Sequence, residues 1–189
     1  FFAFLDEHKH NGHQLVLKKH HLALVKDLEN GRLAKVSISR KLEKLRDFDS
    51  IEDTPLPRGF EGKLRKYQKA GFNWLRFLNK FNFGGCLADD MGLGKTVQTL
   101  VLLQSLKELD SGIPSLLIMP TSLIYNWEME ANKFTPELKI YNYTGTNRIK
   151  DVSQFQGYDL VLTSYGITRL DIELLKEFYF NYIILDESQ

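Results

Sequence analysis

The stretch "LADDMGLGKTVQTL", Leu87 to Leu100, has the outline of a phosphate-binding loop whose first glycine is missing. Four free positions before Gly-Lys-Ser/Thr put that glycine at residue 89, where this chain carries Asp89. The remainder, Gly92, Gly94, Lys95 and Thr96, is intact, with Asp90, Met91 and Leu93 at free positions of the loop. Backbone N–H groups can turn inward around a β-phosphate only if Gly92 and Gly94 keep side chains out of the way. The helix that follows adds the partial positive charge of its first turn. Lys95 can then reach the β- and γ-phosphates, and the Thr96 hydroxyl can take a Mg²⁺ ligand position. An acid at the mouth of an anion site needs its own explanation.

A second element is "YIILDES", Tyr182 to Ser188, an apolar run ending in Asp186 and Glu187. Parallel strands bring their carboxyl ends to one edge of a sheet, where ligands bind. There Asp186 is placed to hold Mg²⁺ through water, and Glu187 to orient or deprotonate an attacking water. A third element is Gln68 in "KLRKYQKAGFNWL". Its amide offers a donor and an acceptor together, which suits the N6 and N7 edge of adenine.

Around these elements the chain changes texture. Residues 1–50 are polar and rich in straight-chain side chains, with Leu22, Val25 and Leu28, then Leu42, Leu45 and Phe48, at helical spacing. They are expected to form a small helical segment. Pro55, Pro57, Gly59 and Gly62 then mark residues 51–62 as an extended linker. From 63 to 189 the runs "GGCLA", "SLLIMP", "KIYNY", "YDLVLTSY" and "NYIILDE" read as buried strands. The stretches "KTVQTLVLLQSLKEL", "SLIYNWEMEANKF" and "ITRLDIELLKEF" between them have helical length. This alternation predicts an α/β fold, a parallel sheet flanked by helices. One face of a first helix is expected along Leu64, Tyr67, Gly71, Leu75 and Leu78.

With 189 residues, 43% of them hydrophobic and 26% charged, the chain reads as a globule, and no apolar run approaches the roughly 18 residues of a membrane span. No membrane role is expected. A single cysteine, Cys86, and no signal-peptide pattern fit a reducing cytoplasmic compartment. The chain starts at Phe1 and stops just after the two carboxylates, so it reads as a piece of a longer protein. All five histidines fall in the first 21 residues. His8, His10 and His13 could gather round a metal, but no cysteine or well-placed carboxylate completes a tetrahedral set, and a solvated polar segment is the favoured reading. Lys63, Arg65, Lys66, Lys69, Arg76 and Lys80 form a basic stretch with no acid between them, part of which could face phosphate.

The segments "LRKYQKAGFNWLRFL", "GGCLADDMGLGKTVQTL", "LLIMPTSLIYNWEMEANKF", "YDLVLTSYG" and "ILDESQ" resemble, in order and spacing, motifs Q, I, Ia, Ib and II of the SWI/SNF helicase-like ATPases, double-stranded-DNA translocases of helicase superfamily two. The likeness covers about Leu64 to Gln189. In that family the loop resembles Asp-Glu-Met-Gly-Leu-Gly-Lys-Thr, so the acid at 89 is the family's habit, and Asp90 stands where glutamate is more usual. Motif II departs further. Ser188 and Gln189 replace the Ala-His of many relatives, a variant that looks bacterial, and the departure touches coupling more than hydrolysis. Lys66 stands where proline is common.

The resemblance implies an N-terminal RecA-like lobe of a P-loop NTPase that binds ATP and Mg²⁺ through residues 89 to 96, Gln68 and Asp186, with Glu187 and Lys95 catalytic. It implies a partner in a second RecA-like lobe of the same full-length chain, which carries arginine fingers. It further implies double-stranded DNA held by backbone contacts, and a DNA-bound protein complex as a further partner, in a bacterial cytoplasm near the nucleoid. Motif Ia, Pro120, Thr121 and Ser122, and motif Ib, Thr163, Ser164 and Tyr165, follow strands at the nucleotide edge. Hydroxyls and N–H groups there can hold DNA phosphates without reading sequence. Trp127, spaced from Ile124 and Ala131 on a helix, is expected in the core rather than stacked on a base. Two alternatives stay open: an RNA-directed helicase of the same superfamily, and a non-catalytic nucleotide-sensing interaction module.

Overall fold

The computed structural model describes residues 51–90, 92–109 and 112–188, and of the first fifty the backbone of 10–11 and 14–15. The chain divides into two units, Phe1–Ser50 and Ile51–Gln189. In the first, β1 (His10–Asn11) pairs antiparallel with β2 (Gln14–Leu15), His10 opposite Leu15. The helical positions expected from Leu22 to Phe48 lie outside the described residues, as do the histidine side chains.

The second unit contains α1 (Lys66–Phe81), α2 (Lys95–Lys107), β3 (Ser115–Met119), α3 (Ile124–Phe134), β4 (Ile140–Asn142), β5 (Leu160–Ser164), α4 (Tyr165–Leu170), α5 (Ile172–Leu175) and β6 (Ile183–Leu185). Its sheet has the order β4-β5-β3-β6, parallel throughout. β3 and β5 are buried at every position, which their unbroken apolar runs require of strands covered on both faces. Alternate side chains divide between two layers. Leu117, Met119, Leu160 and Leu162 pack with Leu100 and Leu103 of α2 and with Ile124, Trp127 and Ala131 of α3. Leu116, Ile118 and Val161 pack on the other face with Tyr143, Phe155 and Leu175. α2 is buried nearly all round, Gln98, Gln104 and Ser105 included, because it lies between the sheet and α1, whose Phe72 joins Leu64, Val97 and Val101 in a third cluster.

Three expectations change. The run Gly84–Ala88 joins no ladder; Gly84, Gly85, Cys86 and Ala88 are exposed, and two glycines and an alanine offer little side chain to bury. The first helix buries Phe72 and Phe81, outside the face expected along Leu64, Tyr67, Gly71, Leu75 and Leu78, and Tyr67 is 39% exposed. Packing against α2 selects the buried face, and local spacing alone did not. The stretch Ile167–Phe178 forms two short helices, because Asp171 ends α4 and accepts the backbone N–H groups of Leu174 and Leu175 through its own carbonyl.

Residues 51–62 have no helix or strand, yet they are tied to the lobe. Glu108 accepts from the N–H groups of Arg58 and Gly59 at 3.1 and 2.8 Å, and Glu61 N–H donates to the Phe134 carbonyl at 2.8 Å. Asp53 pairs with Lys69 and Glu52 with Lys80, so linker carboxylates neutralise part of the basic stretch.

Beyond β4, the loop from Tyr143 to Asp151 closes on a buried carboxylate. Asp171 accepts from the Tyr143 hydroxyl at 2.8 Å, from Arg148 Nε and Nη2 at 2.5 Å each, and from Lys150 Nζ at 3.2 Å. Arg148 also donates through Nη1 to the Gly145 carbonyl at 2.7 Å and stacks over the Tyr143 ring. Burial works to raise the Asp171 pKa, but the bonds from Tyr143, Arg148 and Lys150 outweigh it and hold the carboxyl below its ordinary range.

Candidate nucleotide and DNA site

Parallel register sets the site. Met119 stands opposite Ser164, and Ile118 opposite Leu185, so the segments after β3, β5 and β6 leave the sheet at one edge. α2 leads through residues 108–114 into the start of β3, which puts its last turn at the opposite edge and its first turn, with the phosphate loop, at this one. One edge therefore carries the loop, Asp186 and Glu187, and both expected DNA segments.

The loop has the backbone an anion cradle needs. Gly92 and Gly94 take φ of +80° and +77°, a left-handed conformation that disfavours side chains. Gly94 is constrained twice, since a Cβ there would lie 2.5 Å from Gln68 Nε2. Gly94 caps α2 without any side-chain hydrogen bond, and no acid occupies the first turn, so the helix's leading N–H groups keep their capacity for an anion. Lys95 Nζ donates to the carbonyls of Asp89 at 2.8 Å and Asp90 at 3.3 Å, which folds the ammonium over the loop. Met91 lies outside the described residues.

Asp89 is the acid that replaces glycine, and its carboxylate is turned towards the helix. Its Oδ2 accepts from Gln98 Nε2 at 3.2 Å, and Gln98 is fully buried. An acid is tolerated at the loop's mouth because a helix glutamine one turn past Gly94 holds it. Sequence reasoning passed over Gln98; its position four residues after Gly94 on the same helical face was the available signal.

Gln68 is more committed than expected. Its Oε1 accepts from Arg65 N–H at 2.9 Å and its Nε2 donates to the Leu93 carbonyl at 3.1 Å. The amide fastens α1 to the phosphate loop, and its second N–H and second lone pair have no other bond among the described residues.

At the end of β6, Asp186 N–H donates to the Ile118 carbonyl at 2.9 Å, which extends the ladder by one residue. Its side chain and carbonyl are also held. Trp127 Nε1 donates to Asp186 Oδ2 at 2.8 Å, and the Tyr165 hydroxyl donates to the Asp186 carbonyl at 2.9 Å. Burial, followed by the charges of Asp186 and Glu187, raises the Tyr165 pKa, which keeps the phenol protonated as a donor. Glu187 adopts φ +48°, a left-handed conformation uncommon for a residue other than glycine. Gln189 lies outside the described residues.

Of the expected DNA contacts, Thr121 and Ser122 are exposed in a short 3-10 turn after Pro120. Ser164 is buried and caps α4, its Oγ accepting from Ile167 N–H at 3.3 Å. Thr163 is fully buried and its hydroxyl donates to the Tyr143 carbonyl at 2.9 Å, so it supports the strand and offers no donor at the surface. Both faces of β5 are covered, so the side chain is inside whichever way the pleat turns it. Trp127, 4% exposed, is core as expected; its bond to Asp186 was not foreseen, although a buried indole N–H needs an acceptor.

This donor set fits a magnesium nucleotide. The cradle excludes side chains, Lys95 supplies a cation, and Thr96 and Asp186 supply hard oxygen donors of the kind Mg²⁺ takes.

Comparison with known proteins identifies relatives of the chain. Residues 67–189 match the family model of the SNF2-related domain. A Bacillus subtilis protein, the putative ATP-dependent helicase/translocase YwqA, is 42% identical over 154 residues, covering 78% of this chain and 16% of that protein. The helicase SWR1 of Eremothecium gossypii is 40% identical over 156 residues, 79% of this chain and 10% of its own length. Among solved structures, the Sulfolobus solfataricus SWI2/SNF2 ATPase core domain superposes with a TM-score of 0.65 at 41% identity, covering 73% of this chain and 28% of that one. The same core in complex with dsDNA gives 0.57 at 35% identity, covering 68% of this chain and 32% of that one. The chain thus spans about a tenth to a third of the length of these relatives.

Proposed function

Because this chain belongs to the SNF2-related domain family, we propose that it is the ATP-binding first motor lobe of a double-stranded-DNA translocase or remodeler, which hydrolyses ATP to ADP and phosphate when a second RecA-like lobe closes the cleft. The observation that carries the reading is the phosphate loop, with Gly92 and Gly94 left-handed and Lys95 folded over it, on the same sheet edge as Asp186 and Glu187. Gly92 and Gly94 admit the phosphates to backbone N–H groups, and Lys95 offsets their charge. Thr96 and Asp186 hold the metal, and Glu187 receives the proton of the attacking water. Mg²⁺, when bound, neutralises charge on the β- and γ-phosphates.

Lys95→Ala should weaken binding of Mg-ADP or Mg-ATP by about 2 kcal/mol or more, the loss of a charge-assisted contact, corresponding to roughly 30-fold. Calorimetric titration checks it. Matching curves for wild type and variant would take the loop out of the site.

Thr121 and Ser122, exposed beside the nucleotide loop, support a DNA path along this edge, as does the dsDNA complex of the Sulfolobus core. Duplex binding should be insensitive to base sequence and fall steeply with salt, because phosphate contacts release counterions and carry no base code. Fluorescence anisotropy on unrelated duplexes at several salt concentrations measures both properties. A marked preference for one sequence at constant salt would count against the reading. A preference for RNA over duplex DNA would favour the superfamily's RNA helicases.

A further inference from the structure

Asp186 is gripped from both layers of the core. Trp127 reaches it from the cluster on one face of the sheet, and Tyr165 from the cluster on the other. The Trp127 indole is buried among Ile124, Leu138 and the strand residues, so its ring plane is fixed by packing. Its N–H, which can only donate, is spent on one carboxylate oxygen of Asp186 at 2.8 Å. The Tyr165 hydroxyl binds the carbonyl of the same residue, and the Ile118 carbonyl takes its N–H. Backbone and side chain are thereby fixed separately.

We propose that Trp127 is a positioning residue for the metal carboxylate: its indole N–H occupies Oδ2 of Asp186 and thereby leaves Oδ1 as the oxygen offered to Mg²⁺. The inference rests on the reading of Asp186 as a ligand of the nucleotide's metal. It gives the helix after motif Ia a direct bond to the nucleotide site, and Tyr165 gives motif Ib a second one. Motif Ib, and the helix that follows motif Ia, therefore end on the same aspartate. Carboxylates that ligate metals are commonly held by such outer partners, and losing one typically costs about 10- to 100-fold in metal affinity.

The test uses the indole itself as reporter. The chain has two tryptophans, Trp74 and Trp127, so with 5-fluorotryptophan incorporated, the W74F variant shows Trp127 as its one fluorine line. That line should move when Mg²⁺ is added to the ADP-bound chain, and stay in place when ADP is added in EDTA. In W127F, which keeps an aromatic ring in the core but has no N–H, Mg²⁺ should bind the ADP-loaded chain about 10-fold more weakly, with metal-free ADP affinity unchanged. If Mg-ADP binds and the Trp127 line does not move, the inference is overturned and the site reading stands. If the wild type binds no Mg-ADP, both fall together. Should W127F fail to fold, the fluorine line in W74F decides the matter alone.

Discussion

Glu187→Gln should reduce ATP turnover to background in the protein complete with its second lobe and duplex DNA, while Mg-ATP binding stays close to wild type. The substitution removes a proton acceptor and keeps Asp186, Thr96 and Lys95, so transition-state stabilisation is lost without ground-state binding. The 189-residue chain alone should already be slow. It supplies cradle, carboxylates and one lysine, whereas an arginine delivered by a second lobe is commonly worth about 10³ to 10⁵ in rate, or roughly 4 to 7 kcal/mol. Adding the second lobe should recover that factor, and duplex DNA should raise the rate again by favouring the closed cleft. Steady-state phosphate release, with and without duplex, separates these contributions. Wild type as inert as Glu187→Gln in every DNA condition would leave a nucleotide-sensing module in place of a motor.

Asp171→Asn should cost about 3 to 5 kcal/mol of stability, because it leaves the buried Arg148 guanidinium without its counter-charge. Denaturant titration measures the loss. The same carboxylate predicts an acid dependence. Its folded pKa lies below the ordinary value, so its contribution is complete above the unfolded pKa of about 4 and is lost as pH falls through the folded value. Wild-type stability should therefore drop below about pH 4 more steeply than that of Asp171→Asn, and the two curves should converge at low pH. Parallel curves would show that the Arg148–Asp171 pair contributes little.

The fold was readable where a signal is local. The parallel sheet follows from unbroken apolar runs at Ser115–Met119 and Leu160–Ser164, since only strands covered on both faces carry such runs. The loop glycines were readable because left-handed backbone favours glycine, and their φ values agree. What escaped depended on partners distant in sequence. Trp127 and Asp186 are 59 residues apart, and nothing in either neighbourhood announces the bond. The Gln68 amide looked available because its one distant acceptor, the Leu93 carbonyl, is placed only when α1 packs on α2. Thr163 was misplaced for a different reason. Its hydroxyl suggested a surface, but packing covers both faces of β5, so every position of the strand is buried.

The position of β3 also bears on how this chain leaves the ribosome. Its two neighbours, β5 and β6, are both made after it, and the last partner, Leu185, follows Met119 by a long interval. At roughly 5–20 residues per second, that interval lasts several seconds. Throughout it, an edge of β3 and the apolar flank of α2 that it will help cover wait without their final partners. A central strand with late neighbours leaves unpaired, aggregation-prone surface on the nascent chain for a time set by translation speed.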